Sequence, residues 1–151
     1  MKGYHNLPEQ TADAFAGGWL HTGDIARFDS EGFLYIIDRK KDMVVTGGFN
    51  VFPREVEDVI SAHPAVAQVA VIGVPDERWG EAVKALVVLK PGVEQSDALR
   101  EELIARVKDA KGSVQAPKSL DFVAGIPLTP IGKPDKKALR ASYWAGAARR
   151  V

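Results

Sequence analysis

The spacing of apolar positions changes several times along this chain, and each change predicts a different element. Two short β-prone runs, 25–28 and 33–37, flank the polar turn 29–32, which predicts a hairpin. From Pro53 onward apolar residues recur at three- and four-residue intervals until Pro64, which predicts a helix. The chain therefore alternates between strand and helix periodicity within its first half.

Two nearly continuous apolar runs in the second half, 66–72 and 82–89, each end at glycine or proline and predict buried strands. A third short strand is expected at 120–123, followed by a loop rich in proline and glycine. From residue 42 the order is helix, strand, strand, helix, strand, helix. The expected fold class is α+β, a small three-stranded sheet flanked by helices and preceded by the hairpin.

Two further helices are indicated by their ends. Ser96 suits the N-cap and Gly112 the C-cap of a helix whose shared face holds Leu99, Leu103, Val107 and Ala110. A closing helix is expected from Asp135 to about Ala148. Residues 1–20 show little periodicity beyond a helical turn around 9–15, which is a weak beginning for an independent domain.

Charge and composition exclude several classes of function. Lys+Arg and Asp+Glu both number 20, and this balance argues against a general nucleic-acid binder, which needs a basic face to neutralise phosphates. Cysteine is absent, which excludes disulfides and thiolate chemistry. No stretch approaches the roughly 20 apolar residues of a membrane span, and none resembles a signal peptide. We therefore expect a soluble, cytoplasmic protein without a transmembrane segment.

Taken singly, the polar and glycine-rich positions have ordinary interpretations. Thr22-Gly23-Asp24 is a turn signal, Gly47-Gly48 a tight loop, Lys133 a surface lysine and Trp79 a packed aromatic. The three histidines are scattered, and no pair of carboxylates or ligand cluster stands out, so no metal site is expected.

Six blocks in a fixed order change that interpretation. They are GWLHTGD at 18–24, DSEGFL at 29–34, DRKKD at 38–42, TGGFNVFPREVE at 46–57, VPDERWGE at 74–81 and IPLTPIGK at 126–133. Together they resemble the adenylate-forming superfamily of AMP-binding enzymes, in its acyl- and aryl-CoA synthetase branch. The resemblance covers nearly all of this chain but only about the last quarter of a typical member.

The resemblance implies a two-step reaction. A carboxylic acid, fatty or aryl, attacks the α-phosphate of ATP to give an acyl-adenylate, and CoA then takes the acyl group and releases AMP. It also implies that residues 1–40 end a large N-terminal AMP-binding domain and that 41–151 form a mobile C-terminal lid. Mg²⁺ would be bound mainly by the large domain, which is this chain's expected partner. The chain alone is therefore expected to be inactive.

The same resemblance assigns roles at the nucleotide. Asp24 would accept hydrogen bonds from both ribose hydroxyls, because a carboxylate has two oxygens. Arg39 would contact ribose or phosphate with its planar donor fork. Lys133 would be catalytic, because its ammonium would stabilise charge that builds at the α-phosphate during adenylation.

It also assigns the hinge and the CoA site. Lys41 would be the hinge about which the lid rotates between half-reactions. Gly47, Gly48 and Asn50 would line the pantetheine path, where the absence of Cβ lets backbone approach. Trp79 would stack on the CoA adenine or serve in packing.

Three positions depart from the family pattern, and two other functions stay open. Ala26 replaces a common glycine, Pro134 follows the catalytic lysine, and Lys136 replaces a common arginine.

One alternative is an acyl-AMP ligase that passes its acyl group to a carrier protein. The other is a non-catalytic stand-alone lid or interaction module. The sequence assigns neither the acid nor the oligomeric state, nor whether the chain is a piece of a longer protein.

Overall fold

The computed structural model describes residues 1–145 of the chain. The chain divides into two compact units, Met1–Lys40 and Lys41–Val151. That the first unit ends a larger domain and the second is a mobile lid stays a prediction.

The first unit contains one short helix and a two-stranded antiparallel hairpin. Its elements are α1 Pro8–Ala14, a 3₁₀ turn Ala16–Gly18, β1 Asp24–Phe28 and β2 Leu34–Arg39. The helical turn and the hairpin expected from the sequence are both confirmed. Neither strand holds a buried residue, and Phe28, Phe33 and Ile36 are exposed. A hairpin in this condition has little stability of its own.

Asp29 builds the turn of this hairpin. Its Oδ1 accepts the backbone N–H groups of Glu31 and Phe33, each at 2.9 Å. The backbone hydrogen bond from Phe33 is the main cause that holds the pKa of Asp29 below its ordinary value. The stabilisation of the turn is therefore complete above the ordinary pKa and is lost as pH falls through the lowered, folded-state pKa.

The second unit is an α+β domain around one sheet, which confirms the expected fold class. Its helices are α2 Pro53–Ser61, α3 Asp97–Lys111 and α4 Lys136–Ala141, and its strands are β3 Val44–Thr46, β4 Phe49–Val51, β5 Val66–Asp76, β6 Gly80–Leu89 and β7 Ser119–Phe122. The strand order is β4-β3-β6-β5, and β7 pairs with β6 in parallel. The three expected strands are present, but the sheet has five.

The two additional strands, β3 and β4, form a small hairpin around Gly47-Gly48. Each has three residues, which is too short for alternation to be visible in the sequence. Both glycines have positive φ, +56° and +85°, as a two-residue type I′ turn requires. The tight loop expected at Gly47-Gly48 is present, and it connects two paired strands that the sequence pattern does not predict.

Strand β5 is longer than expected. It continues through Gly73 and Pro75, which pair with Val83 and Glu81 of β6. Gly73 lies within the strand because the Glu81 carboxylate packs where a Cβ would project. The glycine marks a close approach, and neither Gly73 nor Pro75 ends the strand.

Helices α2 and α3 bury one face of the sheet. The shared core contains Val56, Ile60, Leu103, Val107, Val71, Val83, Val87 and Leu120. The caps of α3 are confirmed, since the Ser96 side chain accepts the N–H of Leu99 and Gly112 follows the last turn. Ala110, expected on the buried face, is exposed, whereas Ile104 packs on the core.

Helix α4 is shorter than expected and ends at Ala141. Beyond it the chain turns so that Trp144 Nε1 donates to the carbonyl of Gly73 at 3.0 Å. The periodicity of the sequence does not predict this tertiary contact. Residues 146–148 of the expected helix lie outside the described residues. In the part of the chain that the structure describes, no helix is long and apolar enough to cross a membrane.

The core predicts a clear contrast between two leucines. Leu103 is fully buried, whereas Leu128 is 56% exposed. We expect Leu103→Ala to lower the free energy of unfolding by about 2–5 kcal/mol, because it leaves a cavity. Leu128→Ala should change it by less than about 0.5 kcal/mol. Urea denaturation of the 151-residue chain measures both, and equal losses would contradict this core.

Candidate active site

Asp24 and Arg39, the two predicted nucleotide-binding residues, are brought together within the first unit. They face each other across the β1–β2 register, and Arg39 Nε lies 2.8 Å from Asp24 Oδ1. The Lys40 N–H bonds to the Gly23 carbonyl at 2.8 Å and closes this end of the ribbon. Arg39 is more exposed than Asp24, 55% against 25%, so the pair presents a guanidinium and a carboxylate side by side in solvent.

Gly47 and Trp79 are in direct contact in the second unit. The Gly47 N–H bonds to the Trp79 carbonyl at 2.9 Å, and a Cβ on Gly47 would lie 2.5 Å from Trp79 Cε3. Gly48, in contrast, has nothing within 4 Å of where its Cβ would project. The structure therefore gives Gly47 a packing reason for lacking a side chain, while Gly48 keeps an open approach.

The turn before β6 fixes the Trp79 side chain beside an arginine. Asp76 Oδ1 accepts the backbone N–H groups of Arg78 and Trp79 at 3.0 and 2.8 Å. The Arg78 guanidinium then lies over the indole ring, 4.6 Å from its centroid. Trp79 is 41% exposed, so one part of the ring packs on Gly47 while another faces solvent. Asn50, on neighbouring β4, is exposed.

Lys133 lies in a small backbone-closed turn between β7 and α4. The Thr129 N–H bonds to the Lys133 carbonyl and the Asp135 N–H to the Pro127 carbonyl, both at 2.7 Å. Lys133 itself is exposed. Among residues 1–145 its Nζ has no hydrogen-bond or ion-pair partner. The fold thus holds the backbone of this lysine and leaves its ammonium available.

Two nearby cations, Lys136 and Arg140, are paired instead. Lys136 Nζ lies 2.7 Å from Glu57 Oε1, with the side chains 13% and 15% exposed. Arg140 Nη1 lies 2.9 Å from Asp42 Oδ1, with exposures of 12% and 15%. Sequence reasoning missed both pairs, since partners so far apart in the chain share no local signal. Lys136, where the family often has arginine, keeps the cation that this contact needs.

The Lys133 turn and the Gly47–Trp79 contact lie toward opposite ends of β5. Gly132 and Pro134 line one groove with Gln68 and Val69 at the start of that strand. The Trp79 turn follows Asp76 at the other end. Eight rises along a strand span roughly 25 Å. A single ligand atom cannot contact both regions at once.

A protein-family match covers part of the second unit. The family described as AMP-binding enzyme C-terminal domain matches residues 55–133, from α2 to the candidate catalytic lysine. This chain belongs to that family. Lys133 is the last residue of the matched region.

Several known proteins are similar to the chain over most of its length. It is 61% identical to the medium/long-chain-fatty-acid–CoA ligase FadD8 of Mycobacterium tuberculosis, over 99% of this chain and 27% of that protein. It is 40% identical to the fatty acid–[acyl-carrier-protein] ligase ScoC of Streptomyces coeruleorubidus, over 100% of this chain and 28% of that protein. The solved structure of the anthranilate CoA ligase AuaEII in complex with anthranoyl-AMP superposes with a TM-score of 0.85 at 34% identity, over 93% of this chain and 27% of that one. The chain therefore spans about a quarter of the length of these relatives.

Within residues 1–145 no group of three or more His, Cys, Asp or Glu side chains could hold a metal ion.

Lys41 opens the second unit and lies in a 3₁₀ turn, Lys40–Asp42. Its predicted role as a hinge stays a prediction.

The two glycines of the β3–β4 turn predict different sensitivities in this domain. Both Gly47→Ala and Gly48→Ala place a side chain at positive φ, which costs about 1–2 kcal/mol. Gly47→Ala must also displace the Trp79 ring, so we expect it to lower the free energy of unfolding by about 1–3 kcal/mol more. Urea denaturation of the two variants checks this, and equal losses would contradict the packing of Trp79 on Gly47.

Proposed function

We propose that this chain is the C-terminal portion of an ATP-dependent acid–CoA ligase. In the whole enzyme a carboxylate oxygen attacks the α-phosphorus of ATP, the bond to the β-phosphate breaks, and pyrophosphate leaves. The CoA sulfur then attacks the acyl carbonyl, the carbon–oxygen bond breaks, and AMP leaves. Family membership and the similarity to fatty-acid and anthranilate CoA ligases support this reaction class.

The observation that carries the proposal is the exposed ammonium of Lys133 on a closed turn, which has no hydrogen-bond or ion-pair partner among the described residues. Negative charge grows on the α-phosphate and the attacking carboxylate oxygen in the adenylation step. A cation already held in place stabilises that charge without reorganisation of the site. We assign this role to Lys133, and the ribose and phosphate contacts to Asp24 and Arg39.

We assign the second half-reaction to the other end of β5. Gly48 and Asn50 lie exposed on the β3–β4 hairpin, and Trp79 presents a partly exposed ring under the Arg78 guanidinium. An open glycine suits the narrow pantetheine arm of CoA, and an aromatic face suits its adenine. Because this surface and the Lys133 turn are well separated, rotation of the domain about Lys41 would present them in turn.

Mg²⁺ accompanies ATP in the proposed reaction, but the described residues offer no ligand set for it. The large domain would therefore bind the metal ion. The acid is assigned only as a class, a fatty or aryl carboxylic acid. The large domain of the same protein is the proposed partner of this chain.

A second candidate function differs only in the acceptor. The fatty acid–[acyl-carrier-protein] ligase is 40% identical over the whole chain, which supports transfer to the phosphopantetheine of a carrier protein as the alternative. Incubating the full-length protein with ATP and an acid, and then with either CoA or a carrier protein, distinguishes the two. We expect thioester with CoA, and thioester with the carrier alone would favour the alternative.

The proposal predicts that the half-reactions separate on mutation of the full-length protein. Lys133→Ala should slow acid-dependent exchange of pyrophosphate into ATP by about 10²–10³-fold, because one preorganised electrostatic partner is lost. The same variant should convert pre-made acyl-adenylate to acyl-CoA at close to the normal rate. Lys137→Ala removes an exposed lysine from α4 and serves as the matched control, with both rates unchanged.

Gly48→Leu should show the opposite pattern. A leucine side chain would crowd the pantetheine path while the adenylation pose keeps its contacts, so thioester formation should fall and exchange should persist. Equal losses of both steps in Lys133→Ala, or loss of exchange alone in Gly48→Leu, would contradict the assignment of the two surfaces.

A further inference from the structure

We propose that the ion pairs Arg140–Asp42 and Lys136–Glu57 position the Lys133 ammonium for adenylation. This inference rests on the proposed function, because it assigns a task to residues that support its catalytic lysine. In this account Asp42, Glu57, Lys136 and Arg140 are positioning residues, since none of them is placed in contact with substrate.

The path from these pairs to Lys133 is short and bonded at each step. Lys136 follows Lys133 by three positions, and between them Asp135 joins the turn to the helix. The Asp135 N–H bonds to the Pro127 carbonyl at 2.7 Å, and its side chain accepts the Ala138 N–H at 3.0 Å as the N-cap of α4. A displacement of α4 would therefore move the turn that carries Lys133.

Helix α4 is too short to hold its place by its own stability. Its attachment comes from side chains. Lys136 reaches α2 through Glu57, whose Oε1 also accepts the Val71 N–H at 2.8 Å on β5. Arg140 reaches Asp42, and after the helix Trp144 Nε1 donates to the Gly73 carbonyl. The helix is thus attached at three points to α2, to β5 and to the 3₁₀ turn at Asp42.

Burial makes the loss of one partner more costly in these two ion pairs than in surface pairs. All four side chains are 15% exposed or less, so removal of one partner leaves a poorly solvated charge behind. The pairs also separate the basic residues of this segment into two kinds. Lys136 and Arg140 have their charge satisfied by carboxylates, whereas the ammonium of Lys133 stays available for a phosphate.

The ion pair between Arg140 and Asp42 also connects α4 to the residue next to the proposed hinge. Asp42 follows Lys41, the proposed hinge, in the chain. An ion pair from that position to α4 ties the start of the second unit to the segment carrying Lys133. Rotation at Lys41 would then carry the catalytic turn as part of one body.

The test uses charge-neutral variants of the full-length protein. We expect Arg140→Gln and Lys136→Gln each to lower kcat of the acid-dependent pyrophosphate exchange by about ten- to a hundredfold, since small misplacement of a catalytic group has effects of this size. Conversion of pre-made acyl-adenylate to acyl-CoA should change by less than about threefold in both. Arg140→Lys keeps the charge and a single contact to Asp42, so exchange should recover to within about threefold of the unmodified rate.

The matched control is Asp97→Asn, which neutralises an exposed carboxylate paired with Arg100 on α3. It should leave both half-reactions unchanged. The double variant Asp42→Asn/Arg140→Gln removes the stranded charge and guards against misfolding of the single variant. It too should lose exchange selectively.

A direct structural readout comes from the 151-residue chain. Hydrogen exchange at the Thr129, Gly132 and Asp135 amides, which close the Lys133 turn, should accelerate in Arg140→Gln but not in Asp97→Asn. Unchanged amide exchange, unchanged pyrophosphate exchange, or equal losses in both half-reactions would each overturn the positioning role. Absence of pyrophosphate exchange in the unmodified protein would instead contradict the proposed function, and this inference with it.

Discussion

The antiparallel pairing of β5 with β6 is the constraint on which the second unit depends. It runs from Val66 opposite Leu89 to Asp76 opposite Gly80. Strand β4 joins the sheet through β3. Helices α2 and α3 cover one face, while β3 and β7 pair with β6. The outer edge of β5 is covered at Val71 by the carboxylate of Glu57, which satisfies a backbone donor and shields an edge open to other strands. Because Glu57 also holds Lys136, the support of this edge and the placement of α4 depend on one side chain.

The fold also decides which basic residues near Lys133 are paired with carboxylates. Four basic residues, Lys133, Lys136, Lys137 and Arg140, are close in sequence, and a sequence pattern gives no reason to separate them. The fold separates them by burial, since Lys136 and Arg140 point at carboxylates and Lys133 does not. A largely buried ion pair adds little net stability compared with an apolar contact, but it fixes one geometry and penalises the loss of either partner. Here that geometry is the placement of a turn whose lysine we assign to adenylation.

Local signals were sufficient for the elements that local physics decides. The hairpin, α2 and the Ser96 and Gly112 caps of α3 were predictable because turn chemistry, periodicity and capping act within a few residues. Strands β3 and β4, the continuation of β5 through Gly73, and the early end of α4 depend on tertiary contacts, and pattern alone missed them. The candidate site was predicted only through the order of motifs. The pair of Asp42 with Arg140 joins residues 98 positions apart and has no counterpart in any local pattern.

We propose that this chain completes an enzyme that activates an acid as its adenylate. The most direct measurement follows oxygen from the acid to AMP in the full-length protein. With both carboxylate oxygens of the acid labelled by ¹⁸O and CoA present, attack on the α-phosphorus and later cleavage of the acyl carbon–oxygen bond must leave one labelled oxygen in AMP. Mass spectrometry should therefore find one ¹⁸O in each AMP formed and none in pyrophosphate. Unlabelled AMP, or label released in inorganic phosphate, would contradict the account.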